Sequence, residues 1–198
     1  EGGLDPTFVI GGQLLAAGAN AKLGSGQWLV AEADESDGSF LRLNPLVAVI
    51  TNIDADHLEN YGNDFSRVQA AFAEFLQRLP FYGLAVLCID DPEVAALAAK
   101  TPRHVMSYGL SSNADVRAED VVQDGPRMRF TLRLPEGTSV PVVLALPGKH
   151  NVLNALAAAA VAWQLGVAPE DIAAALEKFE GVGRRFNDLG EVTTHKGA

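Results

Sequence analysis

Val47-Ala48-Val49-Ile50-Thr51-Asn52-Ile53-Asp54-Ala55-Asp56-His57 changes character part-way along. Its first four residues are apolar and mostly β-branched, which predicts a strand buried on both faces of a parallel sheet. From Thr51 the stretch turns polar, with two carboxylates, an amide and an imidazole within a few residues. Ligands of open α/β sheets bind at the carboxyl ends of strands. Asp56 and His57 are therefore expected on a strand-end loop at a site.

A second stretch of the same design lies upstream. Trp28-Leu29-Val30-Ala31 is apolar, and Glu32-Ala33-Asp34-Glu35-Ser36-Asp37 follows at once. Two adjacent strands ending this way would put Glu32 and His57 on one rim. Carboxylate, imidazole and hydroxyl groups without cysteine suit a hard cation such as Mg²⁺. The plainer reading, in which the acids cap helices and decorate loops, stays open on these residues alone.

Composition bounds the answer. The chain has 198 residues, sized for one domain and a small subdomain. A formal net charge of -10 argues against nucleic acid or an anionic membrane as partner. An anionic substrate would need local basic groups or a metal to offset that field. Cys88 is the only cysteine, so no intrachain disulfide forms, and Val86, Leu87 and Ile89 mark it as an inert core thiol. No signal peptide and no bilayer-length apolar run is visible. These features point to the cytoplasm.

Phe8-Val9-Ile10 is a strand candidate ended by Gly11-Gly12. The glycine-rich stretch from Gly18 to Gly26 reads as a loop, with Lys22 its only positive charge, and it lacks the spacing of a phosphate-binding loop. Asp64 caps a helix whose Phe65, Val68, Phe72, Phe75, Leu76 and Leu79 share one face as core, and Pro80 ends it. Leu84 to Ile89 is a buried strand. Asp90-Asp91-Pro92-Glu93 starts a helix through Ala99, and His104 to Tyr108 is a further strand. This alternation predicts a parallel sheet covered by helices.

Near Asn113 the pattern changes. Asp115–Glu119, Met128–Leu134 and Val140–Leu146 are strand candidates joined by turns at Asp124-Gly125-Pro126 and Pro135-Glu136-Gly137. They predict an antiparallel patch over residues 113–146, as a small second sheet beside the main one. An alanine-rich helix follows Pro147-Gly148-Lys149-His150-Asn151, with Asn151 as its expected N-cap and Gly166 at its end. Pro169-Glu170-Asp171 starts another helix, and the tail from Glu191 is one more strand candidate.

Four pieces resemble the central domain of the Mur ligases in order, spacing and wording. They are Glu32-Ala33-Asp34-Glu35-Ser36-Asp37, Thr51 to His57, Gly148-Lys149-His150-Asn151-Val152-Leu153-Asn154-Ala155, and Gly181-Val182-Gly183-Arg184-Arg185-Phe186. Asp5-Pro6-Thr7-Phe8 and Leu79-Pro80-Phe81-Tyr82-Gly83 resemble the branch that joins L-alanine to UDP-N-acetylmuramate. The resemblance implies a three-layer α/β fold, with a mainly parallel sheet, flanking helices and a small antiparallel subsheet.

It also implies an ATP-dependent reaction through an acyl phosphate, with ATP and Mg²⁺ as cofactors. By resemblance Glu32 and His57 are metal ligands and catalytic residues, and Arg185 is a catalytic residue that reaches the ATP phosphates. Arg184 is read as structural or surface. Asn151 and Asn154 match the pair near adenine; three residues apart on a helix, they share a face, and an amide both donates and accepts. Ser36 and Asp37 are weaker candidates for the sugar nucleotide.

Residues 1–198 are then expected to be part of a central domain. The N-terminal UDP-binding domain, the C-terminal amino-acid-binding domain and the P-loop strand with its lysine would lie outside it. Alone, such a chain is expected to lack ligase activity, to bind nucleotide feebly at most, and to be marginally stable or to self-associate through an uncovered sheet edge. Two other readings remain: the related ligase that recycles a murein tripeptide, and a nucleotide-binding module without catalysis.

Overall fold

The computed structural model describes residues 2–14 and 17–181. These fall into two compact units, one built on Asp5–Glu32 and the other on Ala33–Phe179 with the few residues up to Leu4. The tail strand expected from Glu191 lies outside the described residues.

The smaller unit is a three-stranded sheet in the order β2-β1-β3, with β1 at Thr7–Leu14, β2 at Ala19–Lys22 and β3 at Leu29–Ala31. β1 pairs antiparallel with β2 and parallel with β3. The strand does not stop at Gly11-Gly12, as the sequence suggested. It continues through them with a register shift between Val9 and Leu14, the kind of irregularity that glycine tolerates. The glycine-rich stretch is likewise not all loop, because β2 lies inside it. Gly24 is needed for close approach: a Cβ there would lie 2.1 Å from the Asp5 carbonyl oxygen.

The larger unit holds a six-stranded sheet in the order β4-β5-β6-β7-β8-β9. Its strands are β4 Val47–Ile50, β5 Leu84–Cys88, β6 His104–Gly109, β7 Val116–Asp124, β8 Arg127–Arg133 and β9 Ser139–Leu144. β4 to β7 are parallel, and β7 to β9 run antiparallel. The hairpins therefore extend the main sheet and do not form a second one. The reason is the β6–β7 pairing, Tyr108 opposite Val116, which joins the two halves directly.

Two further expectations are corrected. β3 and β4 belong to different sheets, so they are not paired neighbours. β4 is the first strand of its sheet and is buried only at alternate positions, Ala48 and Ile50, while Val49 is 41% exposed. Among the described residues β4 pairs with β5 alone, and its buried residues Ala48 and Ile50 face the α1 side of the sheet.

The helices are α1 Phe65–Gln77, α2 Pro92–Ala98, α3 Lys149–Gln164 and α4 Pro169–Lys178. β5 shows why both faces of the sheet are covered. Ala85 and Leu87 pack in one cluster with Val68, Phe75 and Leu76 of α1 and Val94 of α2. Leu84, Val86 and Cys88 point the other way, into a cluster with Val152 and Leu156 of α3 and Ile172 of α4. Alternate residues of a strand face opposite sides, so a strand with all five residues buried requires helices on both. The result is three layers, as the sequence implied. Burial pushes the Cys88 thiol up, consistent with an inert core cysteine. Asp64 accepts from Ser66 N–H and Asp91 from Val94 N–H, which makes both the expected caps. No helix among the described residues is long and apolar enough to cross a membrane.

Candidate functional site

The site is built where β4 leaves its sheet. Ile50 is buried, the chain turns polar at Thr51, and buried Ile53 pins the polar run to the core. Thr51 Oγ1 donates to Asn52 Oδ1 at 2.9 Å, and Asn52 Nδ2 donates to Asp54 Oδ2 at 2.6 Å. His57 takes a left-handed backbone, φ 54°, and starts a 3-10 turn at Leu58–Tyr61. That turn leads through Gly62 and Asn63, both at positive φ, into the Asp64 cap of α1. The His57 ring is exposed, with Nδ1 3.8 Å from Glu59 Oε1, beyond hydrogen-bond reach.

The acidic loop comes next to it. Asp34 Oδ1 accepts from Ser36 N–H at 2.9 Å, and Asp37 Oδ1 accepts from Ser39 N–H at 2.8 Å. The Ser36 hydroxyl and backbone N–H hold the Asp34 carboxyl below the usual range, with a smaller contribution from His57. Ser39 does the same for Asp37. The loop is anchored below by buried Phe40, whose ring lies 5.4 Å from that of Phe72 and 5.1 Å from that of Phe75. It is fastened above by the 3-10 turn: Asn60 Nδ2 donates to the Ser36 carbonyl at 2.7 Å, and Tyr61 Oη donates to the Glu35 carbonyl.

Between these parts lies a cavity of about 180 Å³. Glu35, Asp54, Asp56, Asn52 and Thr51 supply its polar wall, and Phe40, Phe72 and Phe75 are among its apolar lining. The aromatic stripe of α1 is thus core, as expected, and also the cavity floor. Among the described residues no three His, Cys, Asp or Glu side chains form a ready metal cluster.

The other expected site residues are placed as follows. Glu32 belongs to the smaller unit, just past β3, and its Oε2 accepts from Gly11 N–H. Asn151 is not the N-cap of α3. Gly148, at φ 95°, takes that position, and Asn151 sits in the first turn, where Nδ2 donates to the Pro147 carbonyl at 2.7 Å. Asn154 is exposed one turn further on. Both belong to α3, on the opposite face of the sheet from α1. Arg184 and Arg185 lie outside the described residues. The structure therefore brings His57, Ser36 and Asp37 together in one unit. Asn60 and Tyr61 were absent from the sequence reading, since bonds spanning 24 and 26 residues leave no local pattern.

The Mur ligase middle domain family model matches residues 19–162, most of the chain. The chain belongs to the Mur ligase family. Among curated Mur ligases, the UDP-N-acetylmuramate–L-alanine ligase of Xanthomonas euvesicatoria pv. vesicatoria is 89% identical over all 198 residues. The chain spans 42% of that protein's length. Among solved structures, the UDP-N-acetylmuramate–alanine ligase of Thermotoga maritima aligns with TM-score 0.78 at 31% identity, covering 92% of this chain and 40% of that one. A UDP-N-acetylmuramate:L-alanyl-γ-D-glutamyl-meso-diaminopimelate ligase from Neisseria aligns with TM-score 0.78 at 28% identity, covering 92% and 60%.

Proposed function

We propose that this chain is part of the ATP-binding region of a cytoplasmic ligase that joins L-alanine to UDP-N-acetylmuramate during peptidoglycan precursor synthesis. The observation that carries it is near-identity along the whole chain to a protein of that name. The tripeptide-recycling reading has in its favour a structural likeness of equal TM-score, but at 28% identity against the 89% of the L-alanine ligase.

In the proposed reaction the muramate carboxylate attacks the γ-phosphate of ATP, ADP leaves, and an acyl phosphate forms. The amino group of L-alanine then adds to the acyl carbon, and phosphate leaves. Phosphoryl transfer of this kind depends on positioning and charge neutralisation. Neutralisation is pressing here, because Glu35, Asp54 and Asp56 line the cavity. An anionic substrate entering such surroundings needs a counter-charge.

The donor set fits Mg²⁺. The cavity wall offers carboxylate, amide and hydroxyl oxygens and no sulfur. By the family resemblance Glu32 would help hold one Mg²⁺ and His57 a second, each from its own unit; when bound, the ions would neutralise charge on the transferring phosphoryl group. Glu32 is oriented by the Gly11 N–H, and His57 by its left-handed backbone. Ser36 and Asp37 would meet the sugar nucleotide, Asn151 and Asn154 the adenine, and Arg185 the phosphates.

The test is ligation by the full-length protein that carries this chain. His57→Ala should cut turnover ~10²-fold at saturating Mg²⁺, in line with losing one preorganised charge-stabilising group, while thermal stability holds, because the ring is exposed. Near-normal turnover in the variant would refute the metal-ligand role. Failure of the unsubstituted protein to ligate L-alanine would refute the function.

A further inference from the structure

Asn60 and Tyr61 occupy the last two positions of the 3-10 turn that His57 begins. Each donates a side-chain hydrogen bond to a backbone carbonyl of the acidic loop, and the two carbonyls are consecutive: Ser36 for Asn60 and Glu35 for Tyr61. The same turn is closed on the His57 side by Asn60 N–H donating to the His57 carbonyl at 3.1 Å. Asn60 therefore ties the loop through its side chain and His57 through its backbone. The Tyr61 side chain is half-buried, and burial holds its phenol above the ordinary tyrosine range; a tyrosine hydroxyl is a donor at neutral pH in any case. Neither side chain lines the cavity.

We propose that Asn60 and Tyr61 are positioning residues, which set the spacing between His57 and the Ser36–Asp37 loop by holding that loop's carbonyls. The inference rests on the proposed function, in which His57 serves the metal and the loop serves the sugar nucleotide. Partners that orient a metal-ligating residue without touching the metal commonly cost 10- to 100-fold in metal affinity or activity when removed. Two donors on adjacent carbonyls also fix the loop against rotation, which one donor would not.

The experiment uses the full-length protein with Tyr61→Phe, Asn60→Ala and Asn60→Asp. Tyr61→Phe removes one hydroxyl and keeps the ring. Asn60→Asp keeps the shape but turns a carboxylate oxygen toward the Ser36 carbonyl. In Tyr61→Phe and Asn60→Ala, KM for UDP-N-acetylmuramate should rise about tenfold, while KM for ATP stays within about twofold. Asn60→Asp should be worse than Asn60→Ala, because it opposes like dipoles and does not merely delete a donor. Mn²⁺ binding in the presence of a non-hydrolysable ATP analogue, followed by electron paramagnetic resonance, should weaken in all three. Unchanged KM and Mn²⁺ binding would overturn the inference. So would equal losses for both substrates accompanied by a lowered melting temperature, which would mark a folding role. If the unsubstituted protein does not ligate, the proposed function has failed and the inference falls with it; if only the variants behave as the parent does, the inference alone has failed.

Discussion

Asn154 stands exposed on α3, one turn past Asn151, whose amide is engaged with the Pro147 carbonyl. An exposed asparagine inside a helix adds little to the helix itself, since Asn is a weak helix former. Asn154→Leu should therefore leave stability close to unchanged. It should weaken ATP binding by the full-length protein by about 1–3 kcal/mol, the cost of leaving a polar partner unmatched. UDP-N-acetylmuramate affinity should not move. Calorimetry with each ligand separately checks this, and equal losses for both would show that Asn154 shapes the fold. The Asn151 cap illustrates what residue preferences miss. Asparagine is a favoured N-cap, but the chain enters α3 at φ 95°, a conformation suited to glycine, so Gly148 takes the position. Asn151 is displaced into the first turn and reaches back to the chain that precedes the helix.

Elements with a strong local signal were legible. β5 is a short apolar run bounded by Gly83 and Asp90, and all five of its residues are buried. α1 and α2 carry aspartate caps where the sequence placed them. β1 and β2 were only partly legible, because their residues are mostly exposed or half-buried and their pairing is irregular, so no clean period-2 burial pattern marks them. The β7–β8 pair contains a similar irregularity, between Glu119 and Val122, with Asp120 at φ 54°. A β-branched residue is a poor occupant of that conformation. Asp120→Val should destabilise the protein by about 1–2 kcal/mol, whereas Asp120→Gly should be tolerated. Urea unfolding of the two variants separates them. If valine were as stable as glycine there, the bend would not govern the hairpin.

At the scale of the whole molecule, β-α-β alternation followed by hairpins was enough to read a layered α/β fold. It was not enough to place the strands. That Tyr108 pairs with Val116, which makes one sheet of the two halves, depends on strand register, which residue preferences alone do not set. So does the separation of β3 from β4 into different sheets, which leaves Glu32 and His57 in different units. The chain spans 42% of the length of the curated Xanthomonas relative, so the proposed reaction belongs to the full-length protein. In that proposal the muramate carboxylate is activated by phosphorylation. The most direct measurement supplies the full-length protein with ATP, Mg²⁺, L-alanine and UDP-N-acetylmuramate labelled with ¹⁸O in the lactyl carboxylate, and analyses the released phosphate by mass spectrometry. Attack of the carboxylate on the γ-phosphate requires one labelled oxygen to leave with each phosphate as the amide forms. Unlabelled phosphate released in step with amide would contradict the account, because ATP would then be cleaved without an acyl phosphate.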